Sequence, residues 1–151
     1  MKVLRTYYIF LFSSVVISQE NEAIKYEDLY ERKGLIYASD QDSSFNGTVN
    51  ENWPTGIKKL SYTYKNGKPD SKWSDWFNNG QPKEEVEYSN GIKNGLHKKW
   101  YKNGQQKFER TYKNGIHDGK WTEWYENGQS MVEGNFLDGK PDGTWMYWYP
   151  N

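Results

Sequence analysis

The sequence has no cysteine, and this absence excludes several classes of protein at once. A disulfide framework, a thiol nucleophile and a cysteine-based zinc site are all impossible. The 20 basic and 20 acidic residues cancel and are spread along the chain, so there is no basic arm or stripe. Nucleic acid is therefore not an expected partner.

Aliphatic residues are also scarce. Leu, Ile, Val and Phe together supply only 26 of the 151 residues, whereas tryptophan and tyrosine supply 8 and 13. So few aliphatic residues indicate disorder when the net charge is high, but here the formal net charge is zero. We therefore expect an ordered fold that is packed largely by aromatic rings.

No apolar run is long enough to span a bilayer comfortably, since the longest, Tyr7 to Ile17, has 11 residues. Two basic residues precede this run and Ser18 follows it, a pattern typical of a cleavable secretory signal. A buried first strand or an uncleaved anchor is the alternative. Residues 1–18 are thus predicted to direct a secreted, periplasmic or envelope protein, which without cysteine is not a lipoprotein.

The chain does contain a repeat with a fixed step of 24 residues. Twelve of the 14 glycines fall on three columns of this period. Tryptophan recurs on the same period, and each of these residues is followed by phenylalanine or tyrosine. This ladder consists of Trp76, Trp100, Trp124 and Trp148. A period of this size predicts a repeat array.

Each repeat has two strand-like runs around Asn-Gly, and we expect a two-residue type I′ turn at Asn127-Gly128. The predicted fold is all-β: a single-layer antiparallel β-meander of stacked 24-residue hairpins. Residues 19–46 are predicted to be a lead-in and capping half-repeat, with a short helix between 21 and 33 and a strand at 35–37. Residues 47–151 are predicted to hold four full units and a truncated fifth.

The expected turn sets the register, in which Trp121 lies opposite Gly134 and Trp124 opposite Met131. The glycine leaves room for the Trp121 ring, so the face that carries Trp121, Val132 and Phe136 is expected to pack. The other face carries the tryptophan ladder, with lysines directly across from two of the indoles and an acidic column beside them. Lys98 is expected to face Glu109. The candidate binding residues are Trp76, Trp100, Trp124, Trp148, Lys83, Lys107, Glu109 and Glu133.

Catalytic chemistry is not indicated. His97 is interpreted as a packing substitute in an aromatic column opposite Arg110, and His117 as a solvated turn residue, because neither has a partner at ligand-like spacing. The glutamates of the acidic column share one environment in every repeat, whereas a catalytic acid must be distinguished from its neighbours. We expect no metal, no cofactor and no enzyme activity.

The sequence WYENGQ…EGNF.DGKPDGTW, preceded by KWYKNGQQKFERTYKNGIHDGKW, resembles the MORN-type repeat in its bacterial variant form. This form is usually labelled the YwqK family, and its members are often described as toxin–antitoxin system antitoxins. The resemblance extends from Gly47 to Asn151. It implies a curved antiparallel sheet of stacked hairpins that binds proteins.

The most favoured function is therefore a non-enzymatic scaffold for a protein partner, since tryptophan and tyrosine are efficient contact residues. A cell-wall or glycan ligand that stacks on the tryptophan ladder is the alternative. A membrane surface is a third possibility, but removing residues 1–18 leaves 18 basic and 20 acidic residues, and this net charge of −2 disfavours anionic lipid. The ladder could also serve only to stiffen the sheet.

Overall fold

Strands account for most of the described chain, as the alternating residues and repeated Asn-Gly turns predict. The computed structural model describes residues 24–39 and 41–150. A 3₁₀ turn at Tyr26–Asp28 leads into a two-stranded sheet of β1 (Leu29–Arg32) and β2 (Leu35–Ala38). The main sheet contains β3 (Gly47–Asn52), β4 (Lys58–Lys65), β5 (Lys68–Pro69), β6 (Ser71–Trp76), β7 (Pro82–Ser89), β8 (Ile92–Trp100), β9 (Gln106–Lys113), β10 (Ile116–Trp124), β11 (Ser130–Leu137) and β12 (Lys140–Tyr147).

The main sheet is an antiparallel meander. Its strand order is β12-β11-β10-β9-β8-β7-β6-β4-β3, and the short β5 pairs only with β4. Apart from β5, each strand is hydrogen-bonded to its neighbour along the chain, as short turns between antiparallel strands require. The predicted fold class, an all-β meander of hairpins, is confirmed.

Asn-Gly forms two different turns in this sheet. At Asn114-Gly115 both residues have positive φ, 51° and 85°. Lys113 pairs directly with Ile116 on the other side of the turn. These are the properties of a two-residue type I′ hairpin loop, whose twist matches that of the flanking strands.

The type I′ turn predicted at Asn127-Gly128 is wrong. Of these two residues only Gly128 has positive φ, 86°. The Tyr125 carbonyl accepts a hydrogen bond from the Gly128 N–H at 2.9 Å, and the Tyr125 N–H donates to the Gln129 carbonyl at 2.8 Å. The loop therefore has three residues, and a register shift immediately before Trp124 accommodates the extra one.

Hydrogen bonds between consecutive repeats hold both sets of turns. The Tyr101 hydroxyl donates to the Trp124 carbonyl at 3.1 Å, and the Tyr125 hydroxyl donates to the Trp148 carbonyl at 2.9 Å. On the opposite side of the sheet, the glycine N–H groups of four type I′ turns donate to backbone carbonyls of the preceding repeat at 2.7–2.8 Å. The turns are thus part of the packing between repeats.

Strand alternation separates an aromatic face from a polar face. On the aromatic face Trp121 lies opposite Gly134, and its ring centre is 5.2 Å from that of Phe136. Thr122 and Glu133, also opposite one another, belong to the polar face. The predicted packing face is therefore the aromatic face.

The lead-in packs against the beginning of the aromatic face. Its buried residues Ala38 and Phe45 form one cluster with Val49, Leu60 and Tyr64 of the main sheet. The strand predicted at 35–37 is present as β2, but the described part of the predicted helix holds the 3₁₀ turn and β1 instead. The domain boundaries remain predictions, and the predicted signal at 1–18 lies outside the described residues.

Candidate functional site

The four tryptophans of the predicted ladder are half-buried, and the register places them with the polar face. Their backbone carbonyls carry bonds between repeats. The Trp76 carbonyl accepts from the Trp53 indole N–H at 3.2 Å, and the Trp124 carbonyl accepts from the Tyr101 hydroxyl. The ladder positions therefore have a structural role whether or not their rings also bind a ligand.

The predicted position of Lys83 across from Trp76 is wrong. The register shift before Trp76 places Pro82 opposite it, so Lys83 is displaced by one residue and is exposed. The cation over the Trp76 ring is Lys58 of β4, whose ammonium is 5.2 Å from the ring centre. Trp76 thus receives a cation from the preceding repeat.

The predicted position of Lys107 across from Trp100 fails for the same reason. Gln106 lies opposite Trp100, and the exposed Lys107 places its ammonium 5.3 Å from the Tyr101 ring. In the next repeat Trp124 is likewise shifted by one residue and lies opposite Ser130. The expected row of lysines over tryptophans does not form.

The acids of the polar face belong to ion pairs. Lys98 and Glu109 are 3.0 Å apart, as predicted, and Lys120 and Glu133 are 3.8 Å apart. Burial opposes ionisation of Glu109, but hydrogen bonds from Lys98 and Gln106 hold its pKa below the ordinary value. The charges on this face largely neutralise one another, and each exposed pair contributes no more than about 1 kcal/mol.

The aromatic face carries two groups of rings. The N-terminal aromatic cluster consists of Phe45, Tyr62, Tyr64, Trp73 and Tyr88. The C-terminal aromatic cluster consists of His97, Phe108, Tyr112, His117, Trp121, Phe136 and Trp145. Ring centres in the second cluster are 4.4–6.3 Å apart, and such aromatic pairs are worth about 0.5–1.5 kcal/mol beyond area burial.

Arg110 lies inside the C-terminal aromatic cluster. Its guanidinium carbon is 4.0 Å from the ring centre of Phe108 and 3.9 Å from that of Trp121. One terminal nitrogen, Nη2, donates to the Glu123 carboxylate. Because a guanidinium presents five N–H donors in a planar fork, this single bond uses only a small part of its capacity.

His97 is buried, with 6% of its surface exposed. Its Nε2 is 2.8 Å from the Glu84 carboxylate, and its Nδ1 is 3.2 Å from the Lys93 ammonium. An ammonium can only donate, so Nδ1 accepts and the Nε2–H donates to Glu84. The Lys99 ammonium approaches the same carboxylate at 3.4 Å.

This hydrogen-bonded group shifts two pKa values. The bond from His97, with help from the charge of Lys99 and against the effect of burial, lowers the pKa of Glu84 to about 2. Burial also lowers the pKa of Lys93. The interpretation of His97 as a packing residue opposite Arg110 is confirmed, but its polar partners were not predicted.

The interpretation of His117 as a solvated turn residue is wrong. Its ring centre lies 4.4 Å from Tyr112, 4.7 Å from Trp121 and 5.1 Å from Phe136. Its Nδ1 is buried without a hydrogen-bond partner in the described part of the chain. Burial, with a smaller effect from the Arg110 charge, lowers the pKa of His117.

The site is suited to binding. Within residues 24–39 and 41–150, no group of three or more His, Asp or Glu side chains could hold a metal ion. The carboxylates of the aromatic face are already held by His97, Lys99 and Arg110. Among the described residues, no helix is long and apolar enough to cross a membrane.

Sequence reasoning missed Arg110 as a site residue. A signal was present, because the column 24 residues apart contains Val86, Arg110 and Gly134 on the face expected to pack. Long charged residues are almost never buried unless they are paired. An arginine in that column therefore indicates either a buried partner, here Glu123, or a ligand.

Comparison with protein families gives a match over the middle of the sheet. The family described as MORN repeat variant matches residues 69–90, 93–114 and 118–138. The resemblance predicted from the repeat pattern is confirmed over these three segments. Comparison with curated proteins gives no match.

Proposed function

Because the chain carries repeats of the MORN variant family, we propose that it is a non-enzymatic scaffold that binds another protein through one face of its sheet. The C-terminal aromatic cluster is the observation that carries this proposal. Its rings are half-buried although the sheet is a single layer, and no other described segment packs over Trp121 and Phe136. Aromatic and arginine side chains in such surroundings dominate many protein interfaces.

The aromatic face supports this function better than the tryptophan ladder does. The polar face around the ladder consists of paired charges, such as Lys98 with Glu109. Exposed ion pairs contribute little binding energy, because both partners must be desolvated for a small gain. The aromatic face instead offers a large apolar area with Arg110 at its centre.

The location of the protein follows from the N-terminal sequence alone. We propose that residues 1–18 direct export, so that the scaffold acts in the periplasm, at the cell envelope or outside the cell. The antitoxin role that the family resemblance suggests requires a cytosolic protein. Fractionating cells that express the full chain separates the two: recovery only in the cytosol supports the antitoxin role and contradicts export.

A wall or glycan ligand remains the second candidate, favoured by half-buried indoles that recur once in every repeat, as at Trp100 and Trp124. Sugars stack on such rings. The Trp100→Ala and Trp124→Ala variants, incubated with insoluble wall material, test this role. Loss of retention in both variants supports glycan binding, and unchanged retention eliminates it.

The protein-binding function is tested by affinity capture from envelope extract with the full chain as bait. Trp145→Ala alters the aromatic face, and Trp124→Ala serves as the matched control on the polar face. We expect defined proteins to be retained by the parent and by Trp124→Ala, and to be lost with Trp145→Ala. Retention of glycan or lipid without protein would overturn the proposal, and liposome flotation identifies the lipid case.

A further inference from the structure

The chain already covers part of its own aromatic face. Phe45 of the lead-in packs edge-on to Tyr64, with ring centres 5.8 Å apart, and Tyr26 packs edge-on to Tyr62 at 5.7 Å. Ile24, Leu29 and Ile36 also contact this cluster. An extended polypeptide segment is therefore a suitable occupant of the face, and the covering segment stops at the N-terminal aromatic cluster.

The C-terminal aromatic cluster continues the same surface with different chemistry. Where the covered part has Leu60 and Trp73, the next repeat has Glu84 and His97 in the same columns. The following repeat introduces Arg110 where Val86 stood. An occupant of this region must therefore satisfy polar groups as well as apolar ones.

The charges of this region do not balance. Three cations, Lys93, Lys99 and Arg110, face two carboxylates, Glu84 and Glu123, which leaves a net charge of +1 when both histidines are neutral. The three ion pairs of the polar face, by contrast, are balanced. Charge complementarity thus favours an acidic occupant on the aromatic face.

Arg110 has donor capacity to spare. Its Nη2 is bonded to Glu123, while its Nε is buried without a partner in the described part of the chain. Its Nη1 makes no hydrogen bond to any described residue and is not among the fully buried atoms. The rings of Phe108 and Trp121 hold the guanidinium plane in place, which reduces the entropy lost when a carboxylate binds.

We propose that the C-terminal aromatic cluster is the docking site for an acidic polypeptide segment of a partner protein, with Arg110 receiving a carboxylate and the rings around Trp121 receiving an adjacent aromatic or aliphatic side chain. This inference rests on the proposed scaffold function and names the chemistry of its partner. Glu123 competes with the incoming carboxylate for Arg110, because both are acceptors for the same guanidinium.

The test is selection of a phage-displayed random peptide library on the full chain, followed by affinity measurement of the enriched peptides by fluorescence anisotropy. We expect enriched sequences to place Asp or Glu beside an aromatic or aliphatic residue. Replacing the acid by its amide should lower affinity about 10- to 100-fold, as expected for losing a hydrogen bond to a charged group. Enrichment without acidic residues would overturn the proposal.

Two variants at the site should change affinity in opposite directions. Arg110→Gln should weaken binding of the acidic peptides at least about tenfold, whereas Glu123→Gln should strengthen it several-fold by removing the internal competitor. Lys120→Gln is the matched control, since it removes one positive charge from the polar face next to Trp121, and it should change affinity less than about twofold. Arg110→Lys keeps the charge and guards against misfolding, and it should bind with intermediate affinity.

The results also separate this inference from the scaffold function. Peptides whose binding survives Arg110→Gln but is lost in Trp124→Ala would overturn the site and leave the scaffold function intact. Enrichment of no peptide at all would contradict both. A stable dimer of the chain that excludes the selected peptides would show that a second copy is the occupant, and would also overturn the proposal.

Discussion

A single column of the repeat shows how much one residue changes the local chemistry of this sheet. The column contains Trp73, His97, Trp121 and Trp145. At His97 the ring keeps its place in the aromatic row, 4.8 Å from Phe108, but it also gains two polar contacts. The repeat pattern predicts the position of such a residue, and only the structure shows its partners.

Glu84 should make the stability of the protein dependent on pH in the acidic range. Its pKa falls from an ordinary value of 4.5 to about 2 in the folded protein, so the unfolded state binds more protons between these values. The stabilisation is therefore present above pH 4.5 and lost as the pH falls towards 2. We expect the urea midpoint to decrease over this window, and to decrease less in Glu84→Gln.

The matched control for this change is Glu133→Gln on the polar face, 3.8 Å from Lys120. Tryptophan fluorescence during urea titration at several pH values reads out all three proteins. A pH dependence in Glu84→Gln as steep as that of the parent would show that the bond from His97 does not stabilise the fold.

Gly134 makes a second prediction at the scale of the residue. The sequence predicts the Trp121 ring over this glycine, but the ring that lies there is Trp145 of the next strand. A Cβ added to Gly134 would lie 2.3–2.7 Å from three atoms of the Trp145 indole. Gly134→Ala should therefore displace this ring and lower the free energy of unfolding by about 1–3 kcal/mol.

A double-mutant cycle with Trp145→Ala checks this explanation by urea denaturation. Once the indole has been removed, Gly134→Ala should cost less than about 0.5 kcal/mol, because the clash has gone. Gly134 does not have positive φ, so the backbone itself tolerates alanine. An equal cost with and without the Trp145 ring would contradict the packing described here.

At the scale of the element, the turns carry information that the dipeptide Asn-Gly alone does not. Asn114-Gly115 forms a type I′ loop, whereas Asn127 lies in a three-residue loop with only Gly128 at positive φ. The choice depends on the neighbouring repeat. The Asn127 loop belongs to the row of turns in which Tyr125 reaches the Trp148 carbonyl.

The hydroxyls of this row should stabilise the contacts between repeats. Tyr125→Phe removes the 2.9 Å bond to the Trp148 carbonyl and should cost about 0.5–1.5 kcal/mol. Phe77 lies in the same column without a hydroxyl, so Phe77→Tyr should form the missing bond to the Trp100 carbonyl and raise stability by a similar amount. Thermal denaturation measures both effects, and unchanged midpoints in both variants would show that the hydroxyls do not link the repeats.

At the scale of the whole molecule, the sheet could be predicted but the position of the lead-in could not. The 24-residue period fixes the strands and the aromatic face because every repeat repeats the same contacts. The lead-in is joined to the sheet partly by backbone bonds, from the Ile36 N–H to the Gly67 carbonyl and from the Gly67 N–H to the Phe45 carbonyl, both 2.8 Å. Bonds between backbone groups leave little trace in the amino-acid pattern.

The candidate binding face differs from the expected one for a related reason. The ladder was predicted from a regular two-residue loop, and the three-residue loops shift Trp76, Trp100 and Trp124 by one position against their partner strands. The lysines that were expected to cover these indoles then lie elsewhere. The column that contains Arg110 lies away from the shift, and the pairing of Arg110 with His97 is as predicted.

Hydroxyl-radical footprinting of the full chain, with and without a selected acidic peptide, tests the central claim most directly, because it reports the solvent exposure of individual side chains. If the partner docks on the aromatic face, oxidation of Tyr112, Phe136 and Trp145 should decrease on binding, while that of Trp100 and Trp124 stays unchanged. Protection of Trp100 and Trp124 with no change at Trp145 would contradict the claim and identify the tryptophan ladder as the binding surface.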